Sequence, residues 1–248
     1  MSRKTNTAKA TVHKLPRRDG RYGVLPSDDA WDPLPDEGDK KFVKNVRAWT
    51  PNQERLIAAI RKHDVTFAVG PAGTGKTYLA VAEAVEALNS GEVNKIIISR
   101  PVVEAGEKLG FLPGDINEKL DPWMRPIFDA LSERLGVASL RKYIRDGVIE
   151  IAPLAFMRGR TLSNAFIVID EAQNMTYQQL VMALSRLGFG STMVITGDPG
   201  QTDLLPGMSG LADIVEKVRP SSNVGIAEFE AGDVVRHPLV AELLPLLT

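Results

Sequence analysis

A glycine-rich stretch at residues 70–77 has the residue types and spacing needed to hold a row of phosphate groups. It reads GPAGTGKT and fits the pattern G-x-x-x-x-G-K-[ST]. The glycines let backbone N–H groups approach anionic oxygens, and the helix that follows points its positive end at the same oxygens. Lys76 would bridge the β- and γ-phosphates, and the Thr77 hydroxyl is a magnesium ligand in such loops. A plain glycine turn explains the glycines but not Gly-Lys-Thr at this spacing after an apolar strand.

A carboxylate pair, Asp170 and Glu171, directly follows the apolar run 166–169. Carboxylates at the carboxyl end of a parallel strand point into the ligand crevice of an open sheet. Asp170 is therefore expected to hold magnesium, and Glu171 to orient or deprotonate an attacking water. A solvated pair at a strand end is the alternative.

A polar turn, TGDPGQ at residues 196–201, follows another apolar run. Gln201 is predicted to contact the γ-phosphate or the lytic water. A simple turn built from Gly, Asp and Pro would produce much of the same pattern.

A glutamine ahead of the glycine loop, Gln53, lies in WTPNQ at residues 49–53. Its amide can pair with a donor and an acceptor on adenine, which would select ATP over GTP. The same segment also has the marks of a helix start, with Thr50 as N-cap and Pro51 in the first turn. Both interpretations are compatible.

The elements that must position these residues alternate between strands and helices. Short β-branched runs predict strands at 65–69, 95–99, 166–169 and 192–195, with an edge strand at 224–227. Apolar spacing predicts helices at 77–88 and, with Leu56, Ile57 and Ile60 on one face, after Pro51. A closing helix is expected at 238–247. The pattern indicates an α/β fold, a mostly parallel sheet with helices on both faces.

The first 45 residues differ from the rest of the chain. A basic stretch is followed by an acidic one interrupted by prolines, and apolar residues are few, so we expect a flexible charged tail (1–45) before a domain at 46–248. A basic arm can touch nucleic acid phosphates, but a solubilising tail explains it equally well. With no cysteine, a disulfide framework, a thiolate zinc site and a cysteine nucleophile are excluded. No apolar run is long enough for a membrane span, and a cytoplasmic protein is expected.

Longer motifs resemble a known family. Gln53, DEAQ at 170–173 and the Gly-Asp-x-x-Gln of 197–201 resemble the first motor domain of superfamily 1 helicases. SRPVVEAGEKLGFLPGD (99–115), PLAFMRGRTL (153–162) and DVVRH (233–237) resemble the hallmarks of PhoH-like proteins, the phosphate-starvation-inducible ATPase family. The resemblance covers nearly everything from about residue 48 onward.

The resemblance implies a single three-layer RecA-like domain, cytoplasmic ATP hydrolysis with magnesium, and ring-shaped homo-oligomers, for which we expect a hexamer. It also implies a link to RNA or single-stranded nucleic acid. A superfamily 1 helicase takes a catalytic arginine from a second motor domain, which 248 residues do not accommodate. Arg236, or else Arg158 or Arg160, is therefore predicted to reach the γ-phosphate of a neighbouring subunit. Arg100 is expected near the active edge, facing phosphate or nucleic acid.

The predicted site has three sets of residues. The catalytic set is Lys76, Asp170, Glu171, Gln201 and Arg236. The nucleotide-binding set is Gln53, Gly70, Pro71, Ala72, Gly73, Thr74, Gly75, Lys76, Thr77 and Tyr78. The metal ligands are Thr77 and Asp170. The expected function is ATP hydrolysis coupled to nucleic acid. The alternatives are a slow, nucleotide-gated protein-interaction switch and a small-molecule kinase, against which the water-activating Glu171 argues.

Overall fold

A computed structural model describes residues 46–101, 116–151 and 153–235 of the chain. The predicted tail (1–45), Arg236 and the predicted closing helix (238–247) lie outside the described residues. The helices found are α1 (Pro51–Lys62), α2 (Lys76–Ser90), α3 (Ile116–Leu135), α4 (Val137–Arg145), α5 (Tyr177–Leu184) and α6 (Leu211–Val218). Short 3₁₀ helices occupy Leu154–Met157, Ala172–Asn174 and Ala231–Asp233.

The strands form one sheet in which every pairing is parallel. They are β1 (Val65–Val69), β2 (Lys95–Ser99), β3 (Ile149–Ile151), β4 (Ala165–Ile169), β5 (Thr192–Gly197) and β6 (Val224–Glu228). Their order across the sheet is β3-β2-β4-β5-β1-β6. The predicted strands are confirmed, including the edge strand, and β3 is an addition. Because all strands run the same way, their carboxyl ends meet at one edge.

Side chains alternate between the two faces of the sheet, which gives two apolar layers. On β4, Val168 faces α1, α2 and α3, whereas Ile167 and Ile169 face α5 and α6. Burial on both faces explains why the strands are continuous apolar runs rather than alternating ones. The predicted three-layer α/β architecture is confirmed. In the described part of the chain, no helix combines the length and apolarity needed to cross a membrane.

Local signals set the ends of the two helices nearest the site. The Thr50 hydroxyl accepts a hydrogen bond from the Gln53 N–H at 3.3 Å, and Pro51 is the first helical residue of α1, so the predicted cap is confirmed. α2 begins at Lys76, straight after Gly75, and ends at Ser90, straight before Gly91. Both of these glycines are left-handed, with φ of 85° and 78°, a conformation that side-chain-bearing residues rarely adopt.

The edge strand β3 carries an ion-pair cluster centred on Glu150. Glu150 accepts two hydrogen bonds from the Arg160 guanidinium and one from Lys95 at 2.8 Å. These contacts, Arg160 foremost, lower the pKa of Glu150 from 4.5 to about 2. A lowered carboxyl pKa stabilises the fold above the unfolded pKa, and that stabilisation disappears as pH falls through the folded value.

We expect Glu150→Gln to lower the free energy of unfolding by about 1–2 kcal/mol near neutral pH, a figure reduced for solvent screening of this half-exposed pair. The difference from wild type should shrink between about pH 4.5 and pH 2. Urea unfolding of both proteins across this range measures it. A difference that stays constant down to the acid end would contradict the assignment.

Candidate nucleotide-binding site

Nine of the thirteen predicted site residues that the structure describes line one cleft at the carboxyl edge of the sheet, whereas Gln53, Gly70, Pro71 and Thr74 lie outside its lining. Its volume is about 420 Å³. One wall is the glycine loop and the start of α2, another is Asp170 and Glu171 after β4, and a third is the turn from Gly197 to Gln201 after β5. Part of α3 also lines the cleft. The cleft has the size of a small-molecule pocket and lies where ligands bind in open α/β sheets.

Backbone packing requires glycine at the first position of the loop. Gly70 has φ of +138°, and a Cβ placed on it would lie 2.3 Å from the Phe229 carbonyl oxygen. Its N–H donates to the Gly197 carbonyl at 3.1 Å. The loop is thus held between the ends of β5 and β6, the strands on either side of β1.

Lys76 is buried at the base of the loop, 7% exposed. Its ammonium donates to the carbonyl oxygens of Gly70 and Pro71, each at 2.7 Å. Burial lowers the pKa of Lys76, and the nearby carboxylates of Asp198, Glu171 and Asp170 partly offset this. A poorly solvated cation with movable donors is well suited to exchange loop carbonyls for anionic phosphate oxygens.

The Thr77 hydroxyl and the Asp170 carboxylate meet across the cleft. Thr77 Oγ1 donates to Asp170 Oδ1 at 2.6 Å, and so does Thr196 Oγ1. Asp170 is 3% exposed, and its backbone N–H is held by the Ser99 carbonyl. Hydroxyl and carboxylate oxygens are the hard ligands that Mg²⁺ takes alongside phosphate, so the residues present fit this ion.

Glu171 has an uncommon backbone conformation, with φ of 54° at a residue that is not glycine. Its carboxylate is held from both sides. Arg100 Nη2 lies 3.0 Å from Oε1, and Gln173 Nε2 donates to Oε2. Arg100 also lies 3.7 Å from Asp170 Oδ2. Left-handed backbone at such a residue costs on the order of 1 kcal/mol and is typical of functional sites. Arg100 lies at the active edge as expected, where its contacts include these two carboxylates, and contact with phosphate or nucleic acid stays a prediction.

The turn after β5 is built around Asp198. Its carbonyl accepts the N–H of Gln201, its carboxylate accepts the N–H of Gly200, and its own N–H donates to Gln173 Oε1, all at 3.0 Å. Gln201 is exposed in the cleft wall. Residues 198–201 therefore form the simple turn that the sequence suggested, and this turn still leaves Gln201 free to contact a ligand in the cleft. Gln173 connects this turn to Glu171, a role that the sequence pattern does not predict.

Gln53 connects the start of α1 to the glycine loop. Its amide Nε2 donates to the Thr74 carbonyl at 3.0 Å, and its Oε1 accepts the Trp49 N–H at 2.7 Å. An amide has a second N–H and a second lone pair, so adenine contact stays a prediction. Tyr78 lines the cleft on the other side of the loop, where its hydroxyl donates to Glu133 at 3.0 Å.

The candidate trans arginines differ in their surroundings. Arg160 is bound to Glu150 on the edge strand, whereas Arg158 is exposed in the turn after the Leu154–Met157 helix. Arg236 lies outside the described residues. Of the two described arginines, Arg158 is therefore the more available to a neighbour.

Comparisons with known proteins agree with this geometry. The fold resembles the large terminase of a thermophilic bacteriophage, with a TM-score of 0.51 and 13% sequence identity, over 79% of this chain and 49% of that one. This likeness concerns the fold alone. It agrees with the predicted three-layer RecA-like fold.

Sequence comparison is more specific. The PhoH-like protein of Bacillus subtilis (strain 168) is 53% identical over 202 residues, which is 81% of this chain and 63% of the relative. Protein PhoH of Escherichia coli (strain K12) is 44% identical over 209 residues, 83% of this chain and 59% of the relative. The chain thus spans about three fifths of the length of these relatives. The family model described as PhoH-like protein matches residues 45–248, and the chain belongs to the PhoH-like family.

Proposed function

We propose that this chain binds ATP with Mg²⁺ and hydrolyses it, and that hydrolysis is coupled to RNA or single-stranded nucleic acid. The observation that carries the proposal is the 2.6 Å contact between Thr77 Oγ1 and Asp170 Oδ1, next to the buried Lys76. An anion-binding loop, a cation and two metal-ligand oxygens facing one cleft are the parts that triphosphate chemistry requires.

In this proposal Thr77 and Asp170 hold the metal ion. Bound Mg²⁺ supplies charge that stabilises the phosphate oxygens. Lys76 would bind the β- and γ-phosphates, with the loop N–H groups around them. Glu171 would accept the proton of the attacking water, and Gln201 would help to position that water. Each of these side chains lies on the cleft wall, so no large rearrangement is needed to bring them together.

A complete site also calls for an arginine from outside this cleft. An arginine finger is worth about a thousandfold or more in rate. We propose that Arg236, or the exposed Arg158, serves the site of a neighbouring subunit in a homo-oligomeric ring, with a hexamer as the expected form. The mass in solution with and without ATP and Mg²⁺ tests the assembly, and a strictly monomeric protein under both conditions would overturn it.

A second candidate is a slow switch that binds nucleotide and docks another protein. One observation favours it, because both oxygens of Glu171 are engaged, one by Arg100 and one by Gln173. Each oxygen keeps a further lone pair, but the two bonds fix the orientation of the carboxylate, so a partner that reorients it would be needed to align it with an attacking water. Turnover would then be slow until a partner rearranges the site.

One experiment separates the two candidates. Phosphate release from ATP and Mg²⁺ is measured for the full chain with and without single-stranded RNA, and chelation of the metal serves as the blank. The motor hypothesis expects a rate that rises several-fold with RNA. A slow rate that RNA leaves unchanged supports the switch, and ATP binding without any turnover would overturn the hydrolase proposal.

A further inference from the structure

The order of the strands indicates on which side of the glycine loop the nucleoside part of the ligand lies. This inference rests on the proposed ATP binding. Glu171 follows β4 and Gln201 follows β5, so both groups assigned to the γ-phosphate lie on one side of β1. β6 lies on the other side. Base and γ-phosphate are opposite ends of a nucleotide, so a nucleotide extended along this edge of the sheet would carry its base toward β6 and α1.

The chain on that side is hydrogen-bonded to the loop at several points. The Phe229 N–H donates to the Val69 carbonyl at 2.8 Å, and the Val235 N–H donates to the Gly73 carbonyl at 3.0 Å. Asp233 joins this segment to α1, since it accepts from Asn52 Nδ2 at 2.7 Å, and this bond is the main cause of its lowered pKa. Surfaces carried by residues 229–235 and by the start of α1 are therefore held in place relative to the phosphate-binding backbone.

Among the described residues, two exposed large apolar side chains belong to backbone that is tied to the loop on this side. Trp49 is 71% exposed and Val235 is 40% exposed. Each has its backbone N–H bound: Trp49 to Gln53, which in turn donates to the loop at Thr74, and Val235 directly to Gly73. Their backbones are thus anchored to the loop, while their side chains are exposed to solvent.

We propose that Trp49 is the stacking residue for the base of the bound nucleotide, with Val235 as a second exposed apolar surface anchored to the loop. An indole is the largest π-face that a side chain offers, and stacking a base on an aromatic ring is worth a substantial part of binding affinity. Stacking accepts any base with a flat face and favours the larger purines. Trp49 would therefore contribute affinity for the nucleoside, and the amide of Gln53 would contribute any selection of adenine.

The test compares ATP with inorganic tripolyphosphate, both with Mg²⁺, by calorimetry on the full chain. Trp49→Ala should weaken ATP binding by about tenfold and leave tripolyphosphate binding unchanged, because only ATP carries a base. Trp49→Phe should recover most of the loss. The matched control is Phe189→Ala, which removes a 95% exposed aromatic side chain. Phe189 lies just before β5, at the amino ends of the strands and away from the cleft at their carboxyl ends. This substitution should change neither affinity.

Fluorescence gives a second readout. The chain has three tryptophans, and replacing Trp31 and Trp123 with phenylalanine leaves Trp49 as the single fluorophore. Its emission should be quenched by ATP and not by tripolyphosphate.

Two outcomes would overturn the inference alone: unchanged ATP affinity in Trp49→Ala, or an equal loss for ATP and tripolyphosphate, which would mean that Trp49 only supports the loop. If the wild-type chain bound neither ligand, the proposed function itself would fail.

Discussion

Lys76→Ala is expected to weaken binding of ATP with Mg²⁺ by roughly a hundredfold or more, because it removes the cation and at least two charge-assisted hydrogen bonds to phosphate. The structure explains the size of the effect. The ammonium is buried in the loop, and a solvent-exposed charge could not take over its position at the base of the cleft. Equilibrium binding of a fluorescent ATP analogue, or calorimetry with ATP, measures it.

The loss must be distinguished from damage to the loop, since Lys76 also binds the carbonyls of Gly70 and Pro71. Lys76→Met keeps most of the side-chain volume and should lose binding to the same extent. Lys62→Ala removes an exposed lysine from the last turn of α1 and should bind as wild type. Thermal unfolding of all three shows whether the fold persists. Near-normal ATP affinity in both Lys76 variants would refute the role of Lys76 in binding the phosphates.

Glu171→Gln is expected to separate binding from chemistry. ATP affinity should stay close to wild type, while turnover falls by about 10²–10⁴-fold, the usual contribution of a general base. The amide has nearly the shape of the carboxylate and keeps an oxygen for Arg100, but it cannot take a proton from water. Single-turnover phosphate release measures the chemical step, and a binding assay on the same preparation measures affinity.

The matched control for this prediction is Glu216→Gln. It removes an equal charge from an exposed position on α6, where the side chain of Glu216 is 70% exposed and pairs with Arg219. Its rate should equal that of wild type. If Glu171→Gln turned over ATP as fast as this control, another group would have to activate the water, and Glu171 would be left as a partner of Arg100.

The sequence predicts the four central strands well because they are buried on both faces. Runs such as 95–99 and 165–169 are continuous and β-branched, a pattern that few other elements share. The sequence pattern does not predict β3, because this strand has only three residues and a charged one, Glu150, in the middle. Only the ion pairs with Lys95 and Arg160, which are distant in sequence, make that residue acceptable there. The order of the strands was also beyond reach, since periodicity carries no information on neighbours.

In the site, too, local motifs are predictable from the sequence, whereas contacts between distant segments are not. Motif spacing was enough to expect Lys76, Thr77 and Asp170 in one crevice, and the structure brings them together. Residues that act on other residues were not foreseen. Thr196 donates to Asp170 and Gln173 joins Glu171 to the turn at Asp198, and both roles depend on strand ends that meet only after the sheet has formed.

The contact of Gly70 with Phe229 means that the glycine loop is not a self-contained module. Its conformation is completed by chain that follows β6, far later in the sequence, through Phe229 and again through Val235. A fragment ending after β5 would contain every motif residue from the glycine loop to Gln173 and still lack one wall of the loop. The smallest piece able to hold the loop in this shape therefore extends to residue 235, and transplanting the loop residues alone into another scaffold would leave that support behind.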